Sequence, residues 1–95
     1  MIADEIKNKI LSHIEEHFSE EEVSIASSKF QIEIPDSPEK GDLTSNIALI
    51  LGNITKNNPK EIGLEIGNIL KELNLVSSIE VAGPGFINIF LNHSG

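Results

Sequence analysis

The stretch Val81-Ala82-Gly83-Pro84-Gly85-Phe86-Ile87-Asn88-Ile89-Phe90-Leu91 reads as a strand, a tight corner and a return strand. Both glycines tolerate backbone angles closed to other residues and Pro84 has its φ fixed, so the chain can reverse there. From Phe86 onward the side chains should alternate between faces. Ile87, Ile89 and Leu91 then form an apolar row that must be buried, while Phe86, Asn88 and Phe90 share the opposite face. A buried amide must find partners for its donors and acceptors, so an asparagine between two aromatics marks a half-exposed face. That face is the first candidate for a working surface.

Upstream of the hairpin, Asn58-Pro59-Lys60-Glu61 has the form of a helix start, with Asn as N-cap, Pro at the first helical position and Glu in the first turn. Ile62, Ile66, Ile69, Leu70 and Leu73 continue that helix, and Gly63 and Gly67 on one face predict close approach to a neighbour. Before it, Ile47, Ile50, Leu51 and Ile54 fit the helical pattern i, i+3, i+4, i+7, with Asp42 or Thr44 as the cap. Phe30, Ile32 and Ile34 alternate with Lys29, Gln31 and Glu33, which predicts a half-buried strand ended by Pro35. Residues 35–42 carry two prolines, a glycine and several charges and read as an ordered loop. Ser19-Glu20-Glu21-Glu22 has capping-box spacing, yet Val23 and Ile25 follow at strand spacing, so a polar turn into a strand is expected. Ile6, Ile10, Leu11, Ile14 and Phe18 mark a first amphipathic helix over Ala3 to Phe18. The order α-β-β-α-α-β-β predicts one two-layer α+β domain over residues 1–95, with helices on one face of a small four-stranded sheet.

The charge narrows the function. Fifteen acids against seven bases give −8, and all seven bases are lysines, so no arginine can grip a phosphate with two parallel hydrogen bonds. Such a chain is repelled by nucleic acid at long range, and any contact with RNA must be local and shape-based or supported by another domain. The absence of cysteine excludes disulfides and thiolate metal sites. No apolar run is long enough to span a bilayer, and the N-terminus lacks a basic-then-apolar leader, so a cytoplasmic protein is expected.

Catalytic chemistry finds little support. His13-Ile14-Glu15-Glu16-His17 fits the H-x-x-E-H pattern of inverted zinc peptidases, but catalytic zinc needs a third protein ligand and a cleft. Gly83-Pro84-Gly85 resembles the opening of a dinucleotide fingerprint, but the third glycine is missing and a strand follows instead of a helix. Asp36-Ser37-Pro38 resembles a carrier-protein serine, with proline where an aliphatic residue belongs. With histidine only at 13, 17 and 93, no nucleophile–base–orienter set can be assembled. No catalytic residue and no metal site is expected.

Lys40-Gly41-Asp42-Leu43-Thr44-Ser45-Asn46-Ile47-Ala48 resembles a segment of the N-terminal additional domain of arginyl-tRNA synthetase. The likeness continues through Asn58-Pro59-Lys60-Glu61-Ile62 and is strongest over Val81–Leu91, three segments in the family's order that together cover nearly the whole chain. Leu43 stands where the family usually has an aromatic, Lys40 where histidine is frequent and Gly63 where alanine is common. The resemblance implies a non-catalytic domain that contacts the elbow of tRNA(Arg), at or near the D-loop, in an enzyme that joins arginine to that RNA using ATP. The domain itself would hold no cofactor, and the family's ATP-binding signatures are absent, as expected of a domain excised from a longer chain. Carried over, Phe86 would stack on an unpaired loop base, Asn88 would hydrogen-bond its edge or ribose, and Gly83 would let RNA approach the backbone. Stacking of this kind is worth roughly 1–3 kcal/mol per base. Gly41, Asp42 and Asn46 are given structural roles, capping the helix and anchoring the 35–42 loop. The implied partners are tRNA(Arg) and the remaining synthetase domains, with neither membrane nor DNA, and the −8 charge predicts that the isolated domain binds weakly, at about millimolar to high micromolar. From a different class, an acidic protein-interaction module without RNA binding also fits the composition.

Overall fold

The structure is a computed structural model and describes residues 2–92. Its centre is the hairpin of β3 (Val76–Ala82) and β4 (Phe86–Leu91). Gly83 supplies the positive φ of +58° that the first central position of the turn needs, Pro84 follows, and the Gly85 N–H donates to the Ala82 carbonyl at 3.2 Å. Two further strands, β1 (Ile32–Glu33) and β2 (Leu43–Ser45), complete an antiparallel sheet of order β1-β2-β4-β3.

The register sorts the side chains into two faces. Ile32 opposite Ser45, Ser45 opposite Ile87 and Val81 opposite Ile87 form one inward row, and Leu43, Ile89 and Ile79 form the next. On the other face, one row runs Glu33, Thr44, Asn88, Glu80, and Ala82 pairs with Phe86 beside it. The four helices are α1 (Ile2–His17), α2 (Glu20–Lys29), α3 (Ile47–Thr55) and α4 (Pro59–Leu70); α3 and α4 pack on the inward face of the sheet, with α1 against α4 and α2 against α3. Ile6, Ile10, Ile14, Ile47, Leu51, Leu70, Ile87 and Ile89 are fully buried between the layers. The expected α+β class, four-stranded sheet and one-sided helices are all present.

Expected details of α4 are present as well. The Asn58 side chain accepts from Lys60 N–H at 2.9 Å, with Pro59 opening the helix. The two glycines of α4 permit its close approach to β3, since a Cβ on Gly67 would lie 2.7 Å from Ile79 Cγ2 and one on Gly63 3.2 Å from Val81 Cγ1.

Three local readings are corrected. The segment after Ser19 is helix α2, not a turn and a strand. Ser19 Oγ accepts from Glu22 N–H at 3.2 Å and Glu22 Oε1 accepts from Ser19 N–H at 3.0 Å, a complete capping box. Three glutamates in its first turn suit the helix dipole. The residues it turns inward are Val23, Ala26 and Phe30, at helical spacing, and not the Val23 and Ile25 pair that suggested a strand.

Next, Asp42 and Thr44 do not cap α3, because Leu43–Ser45 is a strand paired with β4. Ser45 Oγ serves the helix start instead, accepting from Ile47 N–H at 3.2 Å, and Asn46 makes no side-chain cap bond.

Finally, Ile34 does not continue the buried row of Phe30 and Ile32. Strand β1 stops at Glu33 and Ile34 is 84% exposed.

Candidate nucleic-acid interface

The loop between β1 and β2 is built onto β4, and this attachment creates the candidate site. A 3-10 turn over Pro38–Lys40 ends at Gly41, whose φ of +91° brings the backbone so close to β4 that a Cβ would lie 2.7 Å from the Ile89 carbonyl oxygen. Asp42 then grips the strand at two points, its N–H donating to the Ile89 carbonyl at 2.9 Å and its Oδ2 accepting from Leu91 N–H at 2.8 Å. Asn46 Oδ1 accepts from Gln31 N–H at 2.8 Å and so joins the entry of β1 to the start of α3. Gly41 and Asp42 thus fasten the 35–42 loop to β4, whereas Asn46 ties Gln31 to the start of α3 instead of holding that loop and makes no side-chain cap bond.

Between this loop and the β3–β4 corner lies an open groove of about 600 Å³ on the uncovered face of the sheet. Ile34, Pro35, Ala82, Pro84 and Phe86 give it apolar walls. Glu33, Asp36, Glu39 and Glu80 ring it with carboxylates, against one lysine, Lys40. That lysine is engaged, with Nζ 3.1 Å from Asp36 Oδ1 on the exposed loop. Its hydrogen bond and its charge hold the Asp36 carboxyl below the usual carboxylate range.

The three residues expected to meet RNA come together here in different states. Phe86 is 40% exposed, a large apolar ring left in solvent at the corner. Gly83 is exposed at the same corner and lines the groove beside it. Asn88 departs from the expected half-exposed state: it is only 4% exposed, on the groove floor between its cross-strand neighbours Thr44 and Glu80. Phe86 and Phe90 flank it two residues away along the same face. The Thr44 hydroxyl donates to Asn88 Oδ1 at 3.1 Å. This bond satisfies one half of the amide and orients the other. Thr44 was read only as a possible helix cap, since a three-residue strand is too short to show periodicity. Glu33 and Glu80 reach the two ends of the same row from separate strands, an arrangement that leaves no pattern in sequence.

The histidine pair lies elsewhere. His13 is buried between α1 and α4 with Nε2 3.1 Å from Glu65 Oε1, and the His17 ring is 4.5 Å from it. No group of three or more His, Asp or Glu residues placed to hold a metal ion occurs among the described residues. His93 falls outside the described residues. Among those residues, no helix is long and apolar enough to cross a membrane.

Fold and groove together define a two-layer α+β module whose one bare sheet face carries an apolar-walled, acid-rimmed groove. The family model described as arginyl tRNA synthetase N terminal domain matches residues 2–91, and the chain belongs to that family. It is 37% identical over 93 residues to an arginine–tRNA ligase of Staphylococcus epidermidis, covering 97% of this chain and 17% of the relative. An arginine–tRNA ligase of Thermotoga maritima is 38% identical over 93 residues, covering 98% of this chain and 16% of the relative. The chain thus spans about a sixth of the length of these two ligases.

Proposed function

We propose that this chain is the tRNA-contacting domain of an arginine–tRNA ligase, and that its groove receives an unpaired base from the D-loop or elbow of tRNA(Arg). The observation that carries this reading is Phe86, an aromatic ring 40% exposed at the lip of a groove whose floor holds the Asn88 amide. Unstacked loop bases are bound by stacking on such rings and by hydrogen bonds to their edges. Asn88 is held for that task by Thr44, so its amide nitrogen reaches the base edge with little rotamer entropy left to lose.

Charge decides which part of the RNA enters. Four carboxylates around one paired lysine repel a phosphate, whereas an uncharged base loses nothing by lying among them. The domain therefore contributes shape and stacking, and the rest of the synthetase supplies the phosphate grip, the ATP site and the arginylation chemistry, in the cytoplasm. Phe86→Ala in the full-length ligase tests this reading. The KM for tRNA should rise by about tenfold, equivalent to about 1.4 kcal/mol, with kcat and the KM values for arginine and ATP unchanged. Unchanged tRNA KM together with a stable complex with another protein would assign the groove to a protein partner instead.

A further inference from the structure

Ile34 is the most exposed of the large apolar side chains among the described residues, at 84%, against 58% for Leu64, 49% for Ile2 and 40% for Phe86. This position forgoes the stabilisation that burial in alternation with Phe30 and Ile32 would have supplied. The chain here leaves the sheet: β1 ends at Glu33, Pro35 follows, and Ile34 joins the lining of the groove that also holds Phe86 and Asn88. A residue before proline is confined to extended backbone, and a β-branched side chain is stiff at χ1. Backbone and χ1 of Ile34 are therefore both restricted, at the start of a loop whose far end is fastened to β4 at Gly41 and Asp42.

We infer that Ile34 is the second wall of the base-binding groove, closing on the face of the base opposite to the one that stacks on Phe86. The inference rests on the reading of the groove as a base site and adds to it a residue on a different strand and loop. Of the four exposed large apolar side chains among the described residues, only Ile34 and Phe86 line this groove, one from the loop after β1 and the other from the β3–β4 corner. An apolar residue above and an aromatic below hold a planar, uncharged ligand without any phosphate contact. The carboxylates Glu33 and Glu80 remain around the rim, where they discourage the backbone from following the base inside.

The test uses the full-length synthetase carrying this domain, in the variants Ile34→Ala, Phe86→Ala and Ile34→Val, and tRNA(Arg) transcripts with single abasic positions across the D-loop. Ile34→Ala should raise the KM for intact tRNA about three- to tenfold at unchanged kcat and unchanged melting temperature, because the side chain it removes is solvent-exposed. Ile34→Val, which keeps the β-branch, should restore most of the affinity. On the transcript whose missing base abolishes the Phe86→Ala effect, the Ile34→Ala effect should vanish too. If Phe86→Ala weakens tRNA binding and Ile34→Ala does not, the second wall is refuted and the base site stands. If the Ile34→Ala cost persists on every abasic transcript, Ile34 contacts something other than the base and the inference falls. If neither variant changes tRNA KM, the base site itself is wrong and the second wall falls with it.

Discussion

The two faces of β4 begin from the same six residues and end in opposite conditions. Ile87 and Ile89 point to the helices and are wholly buried, while Phe86, two residues from the buried Asn88, keeps 40% of its surface in solvent. The inward face answers to packing alone: every residue on it is apolar or, as with Ser45, bonded to the backbone of a helix start. The outward face holds combinations that packing would not choose, with an amide between two aromatics, carboxylates at both ends of its row and an exposed isoleucine in the lining of its groove. One face of the strand therefore stabilises the domain, and the other is kept free of that duty. Residues that violate core logic without destabilising the fold are the ones available for binding.

Substitutions that should affect one face and spare the other can break this contrast. The largest effect belongs to Ile89→Ala, which opens a cavity at a fully buried position and should cost about 2–5 kcal/mol, read by urea unfolding. Gly41→Ala comes next, since its Cβ would meet the Ile89 carbonyl oxygen at 2.7 Å from a backbone at φ +91°; a loss of about 1–3 kcal/mol is expected, with loosening of the whole loop. Phe86→Ala, which removes more side chain than Ile89→Ala, should cost under about 1 kcal/mol in the same assay while weakening tRNA binding. A large stability loss from Phe86→Ala would mean that the outward face carries structural duty after all.

The smallest effect lies in the groove-side loop. Because Lys40 lowers the Asp36 pKa, the pair stabilises the loop above the usual carboxylate pKa, and that contribution disappears as pH falls through the depressed value. Both groups are exposed, so global stability should barely register it. Carboxyl NMR titration should show the Asp36 midpoint moving up to the ordinary range in Lys40→Ala.

Much of the architecture was open to reading because it rests on short-range physics. The cap Asn58 with Pro59 at the first helical position, the Gly-Pro-Gly corner and the alternation through Ile87 and Ile89 each depend on residues within a few positions of one another. The misread segments are those where two local patterns compete. After Ser19 a capping box and a strand-like Val23–Ile25 pair offer contradictory answers, and the packing of Ala26 and Phe30 into the core decides for the helix. At Asp42 an N-cap residue type stands one position before a strand, and its carboxylate is claimed by Leu91 N–H from a strand 49 positions away.

The sequence by itself determined the hairpin, its buried row, the helices α1, α3 and α4 and the candidate ring Phe86, because backbone permissiveness, side-chain period and capping are properties of neighbouring residues. Only the tertiary structure decided that Asn88 lies on a groove floor and not on an open face, that Thr44 bonds its amide oxygen, and that Ile34 stands outside the core in the lining of the same groove as Phe86. Those outcomes depend on which strand pairs with which and on a loop fastened at Gly41 and Asp42, and strand pairing between distant segments leaves no periodic trace in the chain that makes it.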